Sequence, residues 1–361
     1  MMKTKRLLLS VIALACTIGA WAQNEVVCAL LQHGDDVTVF KGSTAFQAAA
    51  AAADDGDVIT LSQGVFTGDI NIKKSISVYG AGFEENAEAG TEKTETTGQI
   101  FIGADDENVT ISNVHFEGLC ITGGEWTRLE VGTLKNGNLR AVANLSISKC
   151  KVGSYIRISH DIDQITIDNS VIDVLYGEDR NIIARNLLIS NTYINNRVYD
   201  FSTESSGLID HCIQGGYYDR DYANAQFRYT NCIFVSTAGY NNSSYPIYHN
   251  SIGSTLDHCI YNLTHVGGYY GIGIRTDNAV VKDCIEVAYN EIFSDGTDMA
   301  YTPARTFELQ KPDEWLGTDD KEIGIRGGDG FSKIPSTPVV KNLSSTVENG
   351  ILKVSFEAEV R

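Results

Sequence analysis

Short runs in which apolar and polar residues alternate recur along the chain, as in Val109-Thr110-Ile111 and Ile165-Thr166-Ile167. That is the period-two pattern of a strand with one buried face. Each run ends in a related tetrad: Ile111-Ser-Asn-Val114, Ile147-Ser-Lys-Cys150, Ile167-Asp-Asn-Ser170, Ile189-Ser-Asn-Thr192, Ile209-Asp-His-Cys212, Tyr229-Thr-Asn-Cys232, Leu256-Asp-His-Cys259 and Val281-Lys-Asp-Cys284. Successive tetrads start 36, 20, 22, 20, 20, 27 and 25 residues apart. Helical spacing is missing between them. A strand at this interval without intervening helices predicts coils that stack strand on strand, ~4.8 Å apart, as an all-β, right-handed parallel β-helix.

The third residue of each tetrad is Asn four times, His twice, Asp once and Lys once. Asn, Asp and His tolerate positive φ best among residues with a side chain, so a tight bend between two strands of a coil is expected there. This assigns His211 and His258 to the scaffold rather than to catalysis. The fourth residue is small, which predicts an inward ladder of Cys150, Cys212, Cys232, Cys259 and Cys284 interleaved with Ser170 and Thr192. Side chains stacked in register point the same way, a poor geometry for disulfides, and the cysteines form no C-x-x-C that would suggest a metal. The ladder is therefore expected to be reduced, with Cys28 and Cys120 unassigned.

The ends differ from the middle. Residues 44–53 are alanine-rich and place Thr44 and Gln47 at capping-box spacing, predicting a short helix that covers the first coil. Asp54-Asp55-Gly56-Asp57 follows as a turn, since it lacks the alternation of a calcium loop. The run Gly350-Ile-Leu-Lys-Val-Ser-Phe-Glu-Ala-Glu-Val360 alternates as one or two capping strands. The expected organisation is a leader over 1–22, a lead-in over 23–42, the β-helix over 43–310, and a cap or tail over 311–361.

The leader changes the compartment expected. Lys3, Lys5 and Arg6 precede an apolar run from Leu7 to Gly19 and the Ala20-Trp21-Ala22 site, the pattern of a secretory signal peptide too short to span a bilayer. A secreted protein with no membrane span is expected. Losing those three positive residues takes the net charge from −18 to −21. Nucleic acid is thereby disfavoured as a partner, and a polyanion would be repelled unless a local basic groove opposed it.

The segments Thr44-Ala-Phe-Gln47, Gly56-Asp57-Val-Ile-Thr-Leu61, Gly64-Val-Phe66 and Ser75-Ile-Ser-Val-Tyr-Gly80-Ala-Gly82 resemble the opening of pectin-lyase-like β-helix proteins, over roughly 40–290 when the coils are included. The resemblance implies the fold and, in many members, action on polysaccharide. It stops short of the best-known activities. The Asn-Thr-Asp and Gly-His-Gly signatures of polygalacturonases do not occur, so the Asp-Asp pairs present stand without their partners, and Gly64-Val-Phe66-Thr-Gly68 ends in glycine where pectinesterases carry glutamate.

Candidate chemistry lies between Lys151 and Lys282, a stretch without lysine; 15 of the 17 tyrosines fall in 155–289. Tyr217, Tyr218, Tyr240, Tyr245, Tyr269 and Tyr270, with Arg275, are the expected substrate contacts, because tyrosine offers a rigid apolar ring with a polar tip. Tyr155, Tyr176 and Tyr199 fall in equivalent segments. Arg157, Asp161, Asp219 and Arg220 are the candidate catalytic groups, since acidic polysaccharides require a cation against the carboxylate and a base for the proton. No metal or cofactor is expected; calcium suits such folds, yet no aspartate motif here indicates it. The expected function is binding, with or without processing, of an extended glycan along one face of the rod. The alternatives are a polysaccharide lyase or glycoside hydrolase, and a non-catalytic protein-binding or structural rod.

Overall fold

The computed structural model describes residues 27–86, 91–122, 128–215, 226–235, 254–263, 279–296, 300–336, 339–348 and 351–359. They form a parallel β-helix with two long sheets. The 12-stranded sheet starts with the antiparallel hairpin Cys28–His33 and Asp36–Lys41. It then runs in parallel from Val58–Leu61 through Ile111–Glu117, Val142–Ser148, Ile162–Asp168, Ala184–Ser190 and Ser206–Asp210 to Ala279–Lys282. The 13-stranded sheet stacks Lys151–Ile158, Val171–Gly177, Tyr193–Tyr199 and Ile213–Gly215 among its strands, up to Ile285–Ala288. The chain passes from first sheet to second once per coil. Val339–Glu348 and Ile351–Glu359 pair separately as an antiparallel hairpin.

In-register stacking builds the interior. Ile147, Ile167, Ile189, Ile209, Tyr229 and Leu256 face one another from coil to coil and are buried. Each such side chain contributes about 1.5–3 kcal/mol by leaving water. The bends fall where expected: Lys149, Asn169, Asn191, His211, Asn231, His258 and Asp283 all have φ between 42° and 55°.

The first tetrad is the exception. Residues 111–114 lie inside the strand Ile111–Glu117, and Phe116, Glu117, Gly118 and Leu119 occupy the tetrad positions of that coil. Gly118 makes the bend at φ 72°. Ile111 and Val114 are inward-facing strand residues five positions upstream, and their alternation imitates the repeat.

The helix Ala45–Ala52 closes the first coil, burying Ala45, Phe46, Ala49 and Ala50 with Phe46 edge-on to Phe66. Thr44 stands at its N-cap without a side-chain bond, so the apolar face holds the helix more than a capping box does. The following turn is tied by the Asp54 N–H donating to Asp57 Oδ2 at 2.8 Å, while His33 Nδ1 lies 2.7 Å from Asp57 Oδ1.

Residues 317–336 form a strap that runs back along the row of bends, opposite to the order of coils. The Thr318 N–H donates to Asn231 Oδ1, Asn191 Nδ2 donates to the Ile325 and Gly327 carbonyls, the Ser332 N–H to Asn169 Oδ1, and the Ser336 N–H to Glu117 Oε1. Beneath it lies a second apolar cluster outside the solenoid, in which Tyr193, Ile213, Ile233 and Ile260 pack with Phe307 and Trp315. Among the described residues no helix is long and apolar enough to cross a membrane.

Candidate functional site

Arg157 and Asp161 do not act on each other. Arg157 projects from the second sheet and donates through Nε to Glu130 Oε2 at 2.5 Å and through Nη1 to Glu178 Oε1 at 2.9 Å, so it joins three coils. Asp161 precedes a strand of the first sheet. Its Oδ1 accepts from the Ile183 N–H at 2.9 Å and its Oδ2 from Arg185 Nη2 at 3.3 Å. Asp163 shares the same Arg185. Both candidates are thus committed to joining neighbouring coils. Asp219, Arg220, Tyr217, Tyr218, Tyr240, Tyr245, Tyr269, Tyr270 and Arg275 lie outside the described residues.

Beside Arg157 the structure assembles Tyr155, Tyr176 and Tyr199 from successive coils. Tyr155 meets Tyr176 edge to face at 5.6 Å between ring centres, and Tyr176 stacks on Tyr199 at 5.4 Å and 16°. The Arg197 guanidinium lies 4.0 Å from the centre of the Tyr199 ring. Asp200, at a positive φ of 58°, follows, with Arg180 Nε 3.6 Å from its carboxylate. Burial pushes the Tyr199 hydroxyl and the Asp200 carboxyl up, the latter against the pull of Arg180 and Arg197. Asp173 and Asn195 continue the strip, hydrogen-bonded at 2.7 Å. Ring faces are largely engaged by neighbours, so a ligand on this strip meets rims and polar ends. Strand register creates it: Glu130, Arg157, Tyr176 and Tyr199 are successive partners on the outward face.

A second row was not anticipated. Glu117, Ser148, Asp168, Ser190, Asp210, Thr230, Asp257 and Lys282 are register partners from coil to coil, alternating carboxylate and hydroxyl until the closing lysine. Carboxylates on adjacent strands would repel. The interposed hydroxyls separate them and donate: Ser148 Oγ to Asp168 at 2.8 Å and Thr230 Oγ1 to Asp210 at 2.5 Å. The signal was present in the second residue of every tetrad after the first.

At the far end of this row Asp257, His258 and Asp283 bring ligand atoms within 4.8 Å of one another. His258 Nδ1 lies 2.7 Å from Asp257, and the Lys282 ammonium 3.3 Å from Asp257 and 3.7 Å from Asp283. An internal cation thus already balances these carboxylates.

The cysteine ladder is as expected: Cys150, Cys212, Cys232, Cys259 and Cys284 are free thiols, and Cys120 is free as well. Burial pushes the Cys150 thiol up to about 12 and the Cys232 and Cys259 thiols well above their ordinary value. Nucleophilic chemistry is correspondingly suppressed. Cys150, Cys212, Cys232, Cys259 and Cys284 each place the thiol 3.1–3.4 Å from the carbonyl oxygen two residues earlier, as the Ser170 and Thr192 hydroxyls do at 2.7 Å.

The fold and these rows define a parallel β-helix protein with a built polar and aromatic strip. Comparison with protein-family models, curated proteins and solved structures returned no match.

Proposed function

We propose that this chain is an exported member of the pectin-lyase-like β-helix class that binds an extended glycan along the outer face of its second sheet. The observation that carries the reading is the strip Tyr155, Tyr176, Tyr199 and Arg197 beside Arg157, Glu130 and Glu178. It repeats aromatic rims and hydrogen-bonding groups at ring steps of 5.6 and 5.4 Å on consecutive coils. A polymer of repeating units matches a surface of repeating units, and a rigid rod loses little conformational freedom on meeting it. The opening segments, with their short helix and first coil, support the class. Tyr217, Tyr218, Tyr240, Tyr245, Tyr269, Tyr270 and Arg275, outside the described residues, are included in the same proposal.

The test is retention of purified protein on a panel of neutral and acidic polysaccharides, alongside an assay for new reducing or unsaturated ends. We expect retention by at least one glycan, reduced about tenfold in Tyr176→Ala plus Tyr199→Ala, given about 0.5–1.5 kcal/mol for each of the two aromatic contacts removed. Undiminished retention in a folded double variant would move binding off this strip. New chain ends would replace the pure-binder reading with the lyase or hydrolase one.

A further inference from the structure

The strand Asp36–Lys41 ends the 12-stranded sheet, and among the described residues no strand pairs with its outer edge. Hairpin geometry settles which backbone groups that edge offers. The Gly42 N–H donates to the Val27 carbonyl, so in this antiparallel pair the even positions 36, 38 and 40 turn their N–H and C=O groups inward to Cys28–His33. Val37, Val39 and Lys41 turn theirs outward. The inner strand keeps the same parity, its Cys28 carbonyl accepting from the Ser62 N–H on the far side. An edge with free donors and acceptors is a template for another strand. Its usual protections are thin here: it has no proline and no bulge, carries charge only at its two ends, and leaves Val39 45% exposed. The covering helix that contacts it shows solvent Gln47, Ala48, Ala51 and Ala52, so it has no charge to strip of water.

Parity restricts how a second copy can add. Directly opposed residues of an antiparallel pair are both hydrogen-bonded or both not, so a self-pairing sets odd positions against odd and even against even. Centred on Val39, it would set Val37 against the second copy's Lys41 and Asp36 against its Gly42. Centred on Thr38, it is self-complementary. Val37 then meets the second copy's Val39, the two Thr38 side chains meet on the axis, and Lys41 meets the second copy's Asp35 at the hairpin turn, each contact off the axis occurring twice. Pairs of β-branched residues, of threonines and of opposite charges are favourable across strands, and Asp36 beside Phe40 is the one pair without complementarity. We propose that two copies of this chain join head to head through Asp36–Lys41, their 12-stranded sheets continuing as one across a two-fold axis at Thr38. The junction is independent of the glycan strip.

Analytical ultracentrifugation of the purified full chain from about 1 to 100 μM, the range in which small interfaces associate, tests this and should show a concentration-dependent dimer. Lys41→Asp should weaken the dimer about tenfold, since symmetry reverses two ion pairs at once, and adding Asp35→Lys to that variant should restore it. Val39→Pro removes a donor that the hairpin does not use, so it should abolish the dimer while the unfolding midpoint stays near that of the wild type. A monomer throughout the range, or a dimer indifferent to both Lys41→Asp and Val39→Pro, would overturn the junction. So would a double variant that stays as weak as Lys41→Asp alone, an arm built from exposed positions that decides the matter should Val39→Pro not fold.

Discussion

At the scale of single residues, one small set of local rules accounts for most of the chain's composition. A residue with φ near 50° follows each strand of the first sheet from Val142–Ser148 to Ala279–Lys282, and the next residue returns its hydroxyl or thiol to the carbonyl two positions back. Cysteine, serine and threonine therefore interchange at one site, because each is small and each donates. The bend can be isolated experimentally. Asn169→Ala and Asn169→Gly lose the same side-chain contacts, yet only glycine accepts φ 50° freely; denaturant unfolding should find the glycine variant more stable by about 1 kcal/mol. The thiols offer a second check. Native protein should react slowly with a disulfide reagent, whereas denaturation without reductant should expose at least the six free thiols Cys120, Cys150, Cys212, Cys232, Cys259 and Cys284. Fewer than six would mean that the ladder is oxidised.

At the scale of elements, the coils were legible from the chain because their two determinants, period-two alternation and the bend residue, are both local. The strap was not read, although its trace was present. Val171-Ile172 and Tyr193-Ile194 break alternation with adjacent apolar residues, and the first of each pair points outward into the cluster under the strap. Two apolar faces on one strand mean cover on both sides. The strap's far end is held by Glu117. Burial would push that carboxyl up, but hydrogen bonds from His115 and from the Ser336 N–H and hydroxyl, with Lys149 nearby, outweigh it and hold it at about 2. A depressed carboxyl contributes stability that is present above its unfolded value of 4.5 and is lost as pH falls toward about 2. The contribution is on the order of 3 kcal/mol. Glu117→Gln should lose most of it at pH 7, measured by denaturant unfolding, and should flatten the decline between about pH 4.5 and 2 seen in the wild type.

At the scale of the molecule, the net charge of −18 bears on which glycan the strip meets. Arg157 faces two glutamates and Arg180 faces Asp200, so these cations do not offset the overall field. Retention of neutral glycan should be nearly indifferent to salt, while any retention of an acidic one should strengthen as salt screens the repulsion; affinity electrophoresis at two ionic strengths separates the cases. Sequence alone determined the strand period, the bends, the buried thiols and the short covering helix, since each depends on neighbours within one coil. It also placed Tyr155, Tyr176 and Tyr199 in equivalent segments of the middle coils. Tertiary structure decided that these rings stack on one another, that Arg157 joins Glu130 to Glu178 instead of standing near Asp161, that carboxylates and hydroxyls alternate down one edge, and that the chain returns as a strap over its own bends. Those outcomes depend on register between coils and on contacts such as Asn191 with Ile325, 134 residues apart. No local pattern encodes which distant segment a stacked face will meet.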